Sequence, residues 1–505
     1  MSSKHVKTDP GSNLKKRTGV ALAFSALGNW ANMLIGMVSL VVLSRILGPQ
    51  PYGEFALLLA CLAIPMVILT VSLNESIIQH PKLEEGHLDT TFAVAMFGAF
   101  ALLGILFVGS SELLSALNAQ SLQWPLFALL AILPLEAAAT VPSGLLIRRL
   151  EYAAFAKIDV ASSVIAVTAS IGAALVTVSI WPLIIGEVSR KIIRLAMISY
   201  YSRWRPGLQI ESRYFKDLLG FNGSISAIAV LQVFTNEAPR LAIGSSLGLI
   251  ALSFFNLAMR VRDQLKAALV TPFGAVSFAV SSEMSRTDTE ARHLIIAGIK
   301  LSSLFAYPAF LGMAVVAPIA VPLVFGNQWA DAVIPIQIAS LIALRAPSSS
   351  MNSGIMKGYG KPNFVLLGQA VNVVLIGLVL VFLLPYGLEA TMWGLLVQQF
   401  LHWLLTAWLV KILTRVEFHL QLFAGWKSLI SSLVMVVGVF WVQNSLIETL
   451  PNWLVLTLSI SFGATIFVAM MSLLSRGILT EARNLLPWGP TKTTKPSFDK
   501  IIALL

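Results

Sequence analysis

Charged residues are scarce in this sequence. Asp, Glu, Lys and Arg make up 12% of its 505 residues, whereas soluble domains carry about 25%, and hydrophobic residues make up 57%. Such a chain has too little polar surface to fold as a water-soluble globule. A hydrocarbon core about 30 Å thick needs roughly 20 apolar residues per helical crossing, and suitable stretches follow one another from Val20 to Leu474. The composition therefore predicts an all-α polytopic membrane protein.

Cysteine and catalytic motifs are also nearly absent. The single cysteine, Cys61, lies in an apolar run, so neither a disulfide framework nor a cysteine-rich metal site is predicted. The six histidines are scattered and form no H-E-x-x-H zinc motif, and no G-x-x-x-x-G-K-[ST] P-loop is present. No extramembrane stretch is long enough for a catalytic domain. We expect a transporter without a cofactor, and the sequence leaves proton and sodium coupling both open.

The hydrophobic stretches divide into about 14 predicted transmembrane spans. They cover residues 19–47, 52–78, 90–113, 122–147, 153–178, 181–201, 216–244, 248–280, 292–318, 330–356, 363–385, 388–411, 425–443 and 453–475. Several basic residues precede the long first span, and no short apolar region with a cleavage site follows them, which predicts an uncleaved amino terminus.

Basic residues in the connections lie on alternate sides of these spans. One side carries Arg148, Arg149, Arg203 and Arg205 among others, whereas the opposite connections contain no Lys or Arg. This positive-inside asymmetry predicts a bacterial inner-membrane protein with both termini in the cytoplasm. A basic rim on anionic lipid accounts for most of the net charge of +11, so membrane lipids are expected partners and nucleic acid is not.

Two pairs of similar segments, called echoes here, predict an internal repeat. LGPQPYGEFAL at residues 47–57 matches LGLIALSFFNL at 247–257 in four positions, and the tripeptides at 143–145 and 353–355 correspond at a similar offset. Two six-helix bundles in a parallel pseudo-repeat would explain both. The predicted organisation is a cytoplasmic segment 1–18, a bundle 19–201, a cytoplasmic hinge loop 202–215, a second bundle 216–411, an extra helix pair 425–475 and a cytoplasmic tail 476–505.

The segment LSRILGPQPYGEFALL at residues 43–58 resembles the opening signature of the polysaccharide-transporter flippases. These form the Wzx-like branch of the MATE-like (MOP) exporter superfamily, and the span count, the two halves, the extra pair and the KGYGKP turn at 357–362 fit as well. The resemblance implies alternating-access flipping of a polyprenyl-diphosphate-linked oligosaccharide to the periplasmic leaflet, for lipopolysaccharide or exopolysaccharide. It further implies a polysaccharide polymerase machinery as a partner.

Basic residues inside the spans are the candidates for binding a diphosphate. A charge at bilayer depth costs about 2.5–3.5 kcal/mol, so deep cations should face water or a partner. In span 6, Glu187, Arg190, Lys191 and Arg194 share one helical face with a net charge of +2. Phosphate binding, pairing with neighbouring helices and, for Arg194, snorkelling to the headgroups remain open alternatives.

Spans 8, 9 and 10 supply further candidates. Arg260 lies near the predicted midplane, and Asp263 on the same face either neutralises it or tunes it, or takes up a coupling proton; Lys266 is expected to snorkel. Lys300 lies at mid-depth, and Arg345 adjoins Pro347, which breaks the backbone hydrogen-bond pattern. The predicted substrate-binding residues are Arg190, Lys191, Arg194, Arg260, Lys300 and Arg345, with Glu136, Glu187 and Asp263 as coupling or charge partners.

The first span departs from the family pattern. Related lipid-diphosphate flippases can carry arginines there, whereas this chain has Asn29 and Asn32, which moves the expected site to spans 6, 8, 9 and 10. Three other functions remain open: a MATE-like exporter of small molecules, a membrane-embedded glycan polymerase or ligase, and a flippase for the peptidoglycan precursor. The short periplasmic connections disfavour the enzyme, and the basic excess within the spans favours an anionic cargo.

Overall fold

The computed structural model describes residues 10–79, 83–207, 211, 213–214, 223–274, 277, 292–359 and 362–475. Within these residues the regular secondary structure is entirely helical. The chain divides into two compact units, Met1–Glu237 and Ala238–Leu505. Residues 1–9, most of the predicted hinge after residue 207, residues 360–361 of the KGYGKP turn and the tail 476–505 lie outside the described residues. The predicted bundle boundaries stay a prediction.

Within its described residues, unit 1 has eight principal helices. They are α1 (Pro10–Leu47), α2 (Pro49–Gln79), α3 (Glu85–Val108), α4 (Ser110–Ala116), α5 (Gln123–Leu130), α6 (Ile132–Arg148), α7 (Tyr152–Ala174) and α8 (Trp181–Ser202). α6 packs against α2, α3 and α8, and α7 packs against α1 and α8. Buried Leu146, Ile158 and Ile198 join α6, α7 and α8 in one apolar cluster. This packing fixes the face of α8 that carries the candidate charges.

The segment after α8 is docked onto the start of α3. Trp204 packs against a buried cluster that includes Leu88, and its ring lies 5.5 Å from the ring of Phe92. The backbone N–H of Gly207 donates to Asp89 Oδ1 at 2.9 Å. Gly207 allows this close approach, because a Cβ there would lie 2.3 Å from Asp89 Oδ2 and would force the carboxylate or the segment to shift.

Among the described residues, unit 2 contains nine helices that lie wholly within it. They are α10 (Leu249–Leu269), α11 (Arg292–Phe325), α12 (Val333–Ala343), α13 (Ala346–Gly358), α14 (Pro362–Leu383), α15 (Leu388–Thr414), α16 (Phe418–Phe423), α17 (Trp426–Leu446) and α18 (Asn452–Leu474). α9 (Gly223–Ser246) crosses the boundary between the units. α12 packs against α10, α11 and α15, and α13 packs against α11, α14 and α15. The extra pair α17 and α18 packs against α11.

The first sequence echo has a counterpart in the backbone. Gly48 separates α1 from α2 with φ +75°, and Gly248 separates α9 from α10 with φ +90°. Glycine adopts this left-handed conformation without the steric cost that other residues meet, which explains its presence at both turns. The superposition of two whole bundles stays a prediction.

Ten helices of the described residues are long and apolar enough to cross a membrane, and the bent pair of residues 327–343 and 346–358 makes an eleventh when taken as one span. Predicted spans 6, 7 and 8 coincide with α8, α9 and α10, which are 22, 24 and 21 residues long. They are absent from the apolar set because they carry the intramembrane charges. The all-α, multi-pass fold class is confirmed, whereas the count of fourteen spans is not.

Candidate functional site

The charged face of α8 meets acidic residues of two neighbouring helices in unit 1. Six side chains contact one another and are called the ion-pair cluster here: Glu136 of α6, Asp159 of α7, and Glu187, Arg190, Lys191 and Arg194 of α8. With three basic and three acidic members, the cluster has no net formal charge. The +2 stripe of α8 is therefore balanced by residues that lie far from it in the sequence.

Arg190 and Lys191 share Glu187 as a partner. Arg190 donates to both carboxylate oxygens of Glu187, at 3.1 Å from Nε and 2.6 Å from Nη2. Lys191 donates to Glu136, and its Nζ lies 3.6 Å from Glu187. The side chain of Arg190 is 42% exposed, whereas those of Lys191 and Glu136 are each 13% exposed. Of this pair, Arg190 thus has the more exposed side chain.

Arg194 is held on three sides. Its Nε lies 3.3 Å from Asp159 Oδ1, its Nη1 lies 3.8 Å from Glu136, and its guanidinium lies 5.5 Å from the ring centroid of Phe155. These contacts match the alternative in which the α8 stripe pairs with neighbouring helices. A cation of the stripe can exchange its carboxylate partner for a phosphate. Phosphate binding by the stripe therefore stays a prediction.

In unit 2, Asp263 of α10 is hydrogen-bonded to Arg262, which was not among the residues predicted from the sequence. It accepts two hydrogen bonds from Arg262, at 2.9 Å from Nε and 2.8 Å from Nη2. Arg260 lies one turn of helix before Asp263 on α10, and Lys300 is exposed on α11. The roles predicted for these two cations and for Asp263 stay predictions.

Arg345 lies at the bend between α12 and α13. The helical segments on its two sides are inclined by 48°, and the break precedes Pro347, as the sequence predicted. Val270, at the end of α10, belongs to the same buried cluster as Ala343 and Ala346. The bend is therefore packed against the carboxyl-terminal end of α10.

Several basic side chains surround this bend. Arg262, Lys266 and His402 lie within electrostatic range of Arg345, and these four residues are called the bend cluster here. The Nε atom of Arg345 is buried without a hydrogen-bond partner among the described residues. Neither Arg345 nor Lys266 forms a salt bridge within the described part of the chain. Sequence reasoning placed Lys266 at the membrane edge and left Arg262 and His402 without a role, although Arg262 and Lys266 are one turn apart on α10.

Buried polar atoms without a described hydrogen-bond partner continue from the bend into α13, α14 and α15. They include Ser348 Oγ, both amide atoms of Asn352, Gln369 Oε1, Gln398 Oε1 and His402 Nδ1. Asn352 is fully buried and Ser348 is 2% exposed, and Gln398 donates to Asn372. This tract is polar and contains no carboxylate, so it does not neutralise the bend cluster.

Comparison with known proteins gives one family match and several relatives. Residues 42–334, more than half of the chain, match the family described as "Polysaccharide biosynthesis protein". The chain is 24% identical over 343 residues to "Lipopolysaccharide biosynthesis protein WzxC" of Escherichia coli (strain K12), covering 66% of this chain and 68% of that protein. It is 21% identical over 464 residues to "Succinoglycan biosynthesis transport protein ExoT" of Rhizobium meliloti (strain 1021), covering 91% and 93%.

Solved structures identify the fold. The chain is similar to the inward closed conformation of the lipid II flippase MurJ, with a TM-score of 0.75, 13% identity, and coverage of 90% of this chain and 99% of that one. An inward-facing multidrug resistance MATE family transporter of the MOP superfamily gives a TM-score of 0.61 at 12% identity, covering 76% and 94%. The predicted MATE-like architecture is therefore confirmed.

Proposed function

This chain belongs to the polysaccharide biosynthesis protein family, and from this premise we propose that it is a flippase for a lipid-linked oligosaccharide. The cargo is a polyprenyl diphosphate that carries a sugar repeat unit and crosses from the cytoplasmic to the periplasmic leaflet by alternating access. The names of WzxC and ExoT, a lipopolysaccharide biosynthesis protein and a succinoglycan transport protein, support a role in surface polysaccharide synthesis. The proposed activity is transport without chemical conversion of the cargo.

The observation that carries this proposal is the basic excess of the three polar helices. α8, α9 and α10 together contain seven basic and three acidic residues: Arg190, Lys191, Arg194, Arg240, Arg260, Arg262 and Lys266 against Glu187, Glu237 and Asp263. When Glu136 and Asp159, which pair with α8 from α6 and α7, are counted as well, seven basic residues stand against five acidic ones, an excess of two. An exporter of cationic compounds would need the opposite balance in its pathway. Arg and Lys form charge-assisted hydrogen bonds with phosphate oxygens, so these helices suit an anionic cargo.

The candidate residues divide by their surroundings. Arg190 is the exposed member of the ion-pair cluster, and we assign it a direct contact with the diphosphate, with Glu187 as the carboxylate that it releases when cargo arrives. Lys191 and Arg194 position the cluster through Glu136. Arg260, Lys300 and Arg345 supply the remaining cations, and Asp263 is the candidate for coupling.

Cellular context completes the proposal. Basic residues occur in alternate short connections between the spans, and this asymmetry supports an inner-membrane location with both termini in the cytoplasm. Proton and sodium gradients are both candidate energy sources. A polysaccharide polymerase machinery is the partner that would receive the flipped repeat unit.

A deletion strain tests this function. Complementation with the wild-type gene should restore surface polysaccharide, whereas the Arg190→Ala, Arg260→Ala double variant should leave the lipid-linked repeat unit to accumulate at normal protein level. Lys411→Ala is a matched control, because Lys411 pairs with Glu417 at an exposed site and is 42% exposed. Surface polysaccharide and lipid intermediates are quantified by mass spectrometry. Full surface polysaccharide in the double variant would contradict a role of these cations in transport.

A further inference from the structure

We propose that the bend between α12 and α13 is a phosphate site, in which Arg345, Lys266 and the start of α13 hold one phosphoryl group of the cargo. This inference rests on the proposed function and names the place in unit 2 where the diphosphate is bound. It concerns the bend cluster, separately from the ion-pair cluster of unit 1.

Charge is the first observation that supports this site. The helices packed around the bend are α10, α11, α12, α14 and α15, and their acidic residues among those described are Asp263 and Glu389. Asp263 is bonded to Arg262. Glu389 lies thirteen residues before His402 on α15, about 20 Å along the helix axis. Among the described residues, Arg262, Lys266 and Arg345 therefore share one nearby carboxylate, that of Asp263, which leaves a formal charge of +2 at the bend.

An unbalanced pair of cations in a membrane-spanning unit is costly, because each charge loses its hydration without gaining a counter-ion. The ion-pair cluster of unit 1 shows how this chain neutralises charges by placing carboxylates on adjacent helices. At the bend the described residues supply only Asp263, which is hydrogen-bonded to Arg262. A bound anion would provide the missing charge.

Hydrogen-bonding groups at the bend select the class of anion. In the first turn of α13, Ala346 and Ser348 carry backbone N–H groups, whereas Pro347 between them has none, and the helix dipole favours negative charge at this end. Ser348 is nearly fully buried in that turn, and its Oγ has no described partner. Arg345, which immediately precedes the helix, offers a planar guanidinium whose buried Nε is equally unpartnered. A guanidinium, an ammonium, a hydroxyl and a helix amino terminus together match the several oxygens of a phosphoryl group.

The test measures binding without transport. Full-length protein in nanodiscs of zwitterionic lipid is titrated with inorganic pyrophosphate, and the melting temperature is followed. Wild-type protein should be stabilised by the ligand, whereas Arg345→Gln and Lys266→Gln should each weaken its apparent affinity by about tenfold or more. Lys357→Gln is the control, since Lys357 is an exposed cation at the far end of α13 and should change affinity by less than about twofold.

The ligand-free proteins separate binding from a structural role. If Arg345 is an uncompensated cation, Arg345→Gln without ligand should melt at the wild-type temperature or above it, because the substitution removes an unfavourable, partly buried charge. A lower melting temperature together with unchanged pyrophosphate affinity would overturn the proposal. Unchanged affinity in both bend variants would overturn it as well, whatever their stability.

Two further titrations distinguish the source of the phosphoryl group. A short-chain polyprenyl diphosphate should bind more tightly than pyrophosphate if the site receives cargo. Nanodiscs with phosphatidylglycerol should leave this binding in place; a loss that follows the phosphatidylglycerol content would assign the site to lipid headgroups and overturn the cargo assignment. If the protein binds pyrophosphate through Arg345 but does not flip lipid, only the proposed function is contradicted. If the protein flips lipid and its Arg345→Gln variant binds pyrophosphate normally, only this inference is contradicted.

Discussion

Glu136→Gln should destabilise unit 1 because Glu136 is the carboxylate that joins α6 to two cations of α8. Removing one partner of a buried ion pair costs about 3–5 kcal/mol when the other charge is left alone. Here Lys191 keeps Glu187 at 3.6 Å and Arg194 keeps Asp159 at 3.3 Å. Because each cation retains a second partner and the site is partly exposed, we expect a loss of about 1–3 kcal/mol.

Thermal unfolding in detergent measures this loss. In a unit of this size the melting temperature should fall by roughly 2–4 °C for each kcal/mol of lost stability. The exposed pair Lys411–Glu417 provides the control, and Glu417→Gln should cost about 0–1 kcal/mol. A double-mutant cycle of Glu136→Gln with Lys191→Gln should show a smaller effect than the sum of the single substitutions. Additive effects, or a loss no larger than that of the control, would refute the view that these residues act as one cluster.

Two predictions concern the segment docked on α3. Gly207→Ala should release the segment, because the new Cβ would lie 2.3 Å from Asp89 Oδ2; limited trypsin digestion should then cut there faster, whereas Gly104→Ala, with open space around the new Cβ, should leave the cutting rate unchanged. The hydroxyl of Tyr214 donates to Glu84 at 3.0 Å, which raises the pKa of Tyr214 above its ordinary value. This contact should stabilise docking below about pH 10 and be lost as pH rises through the higher folded-state pKa; a spectrophotometric titration in which Tyr214→Phe removes no late-titrating tyrosine would contradict it.

The fold was largely predictable because apolar runs of membrane length are a strong local signal. Each predicted span coincides with helix in the described residues, and Pro347 correctly marked a break. The number of transmembrane spans was harder to establish, because the charges of α8, α9 and α10 lower the hydropathy of these helices below that of lipid-facing helices. Length and apolarity alone do not identify a helix that faces a polar pathway.

The site was predictable only in part, because sequence spacing reveals which residues share a helix face and not what faces them. The stripe from Glu187 to Arg194 was visible in the sequence, but its partners Glu136 and Asp159 lie on other helices. At the bend, Lys266 and Arg345 are far apart in the sequence, and it is the packing of α10 against α12 that brings their helices into contact. Such tertiary contacts leave no periodic trace in a single chain.

A reconstituted flipping assay tests the central claim most directly. Proteoliposomes containing the purified protein are loaded with the lipid-linked oligosaccharide that accumulates in the deletion strain, and a membrane-impermeant glycosidase reports its arrival in the outer leaflet. We expect wild-type protein to speed this arrival well above that in protein-free liposomes, and the Arg190→Ala, Arg260→Ala double variant to lose the acceleration. Equal rates for wild-type protein and protein-free liposomes would contradict the proposed function.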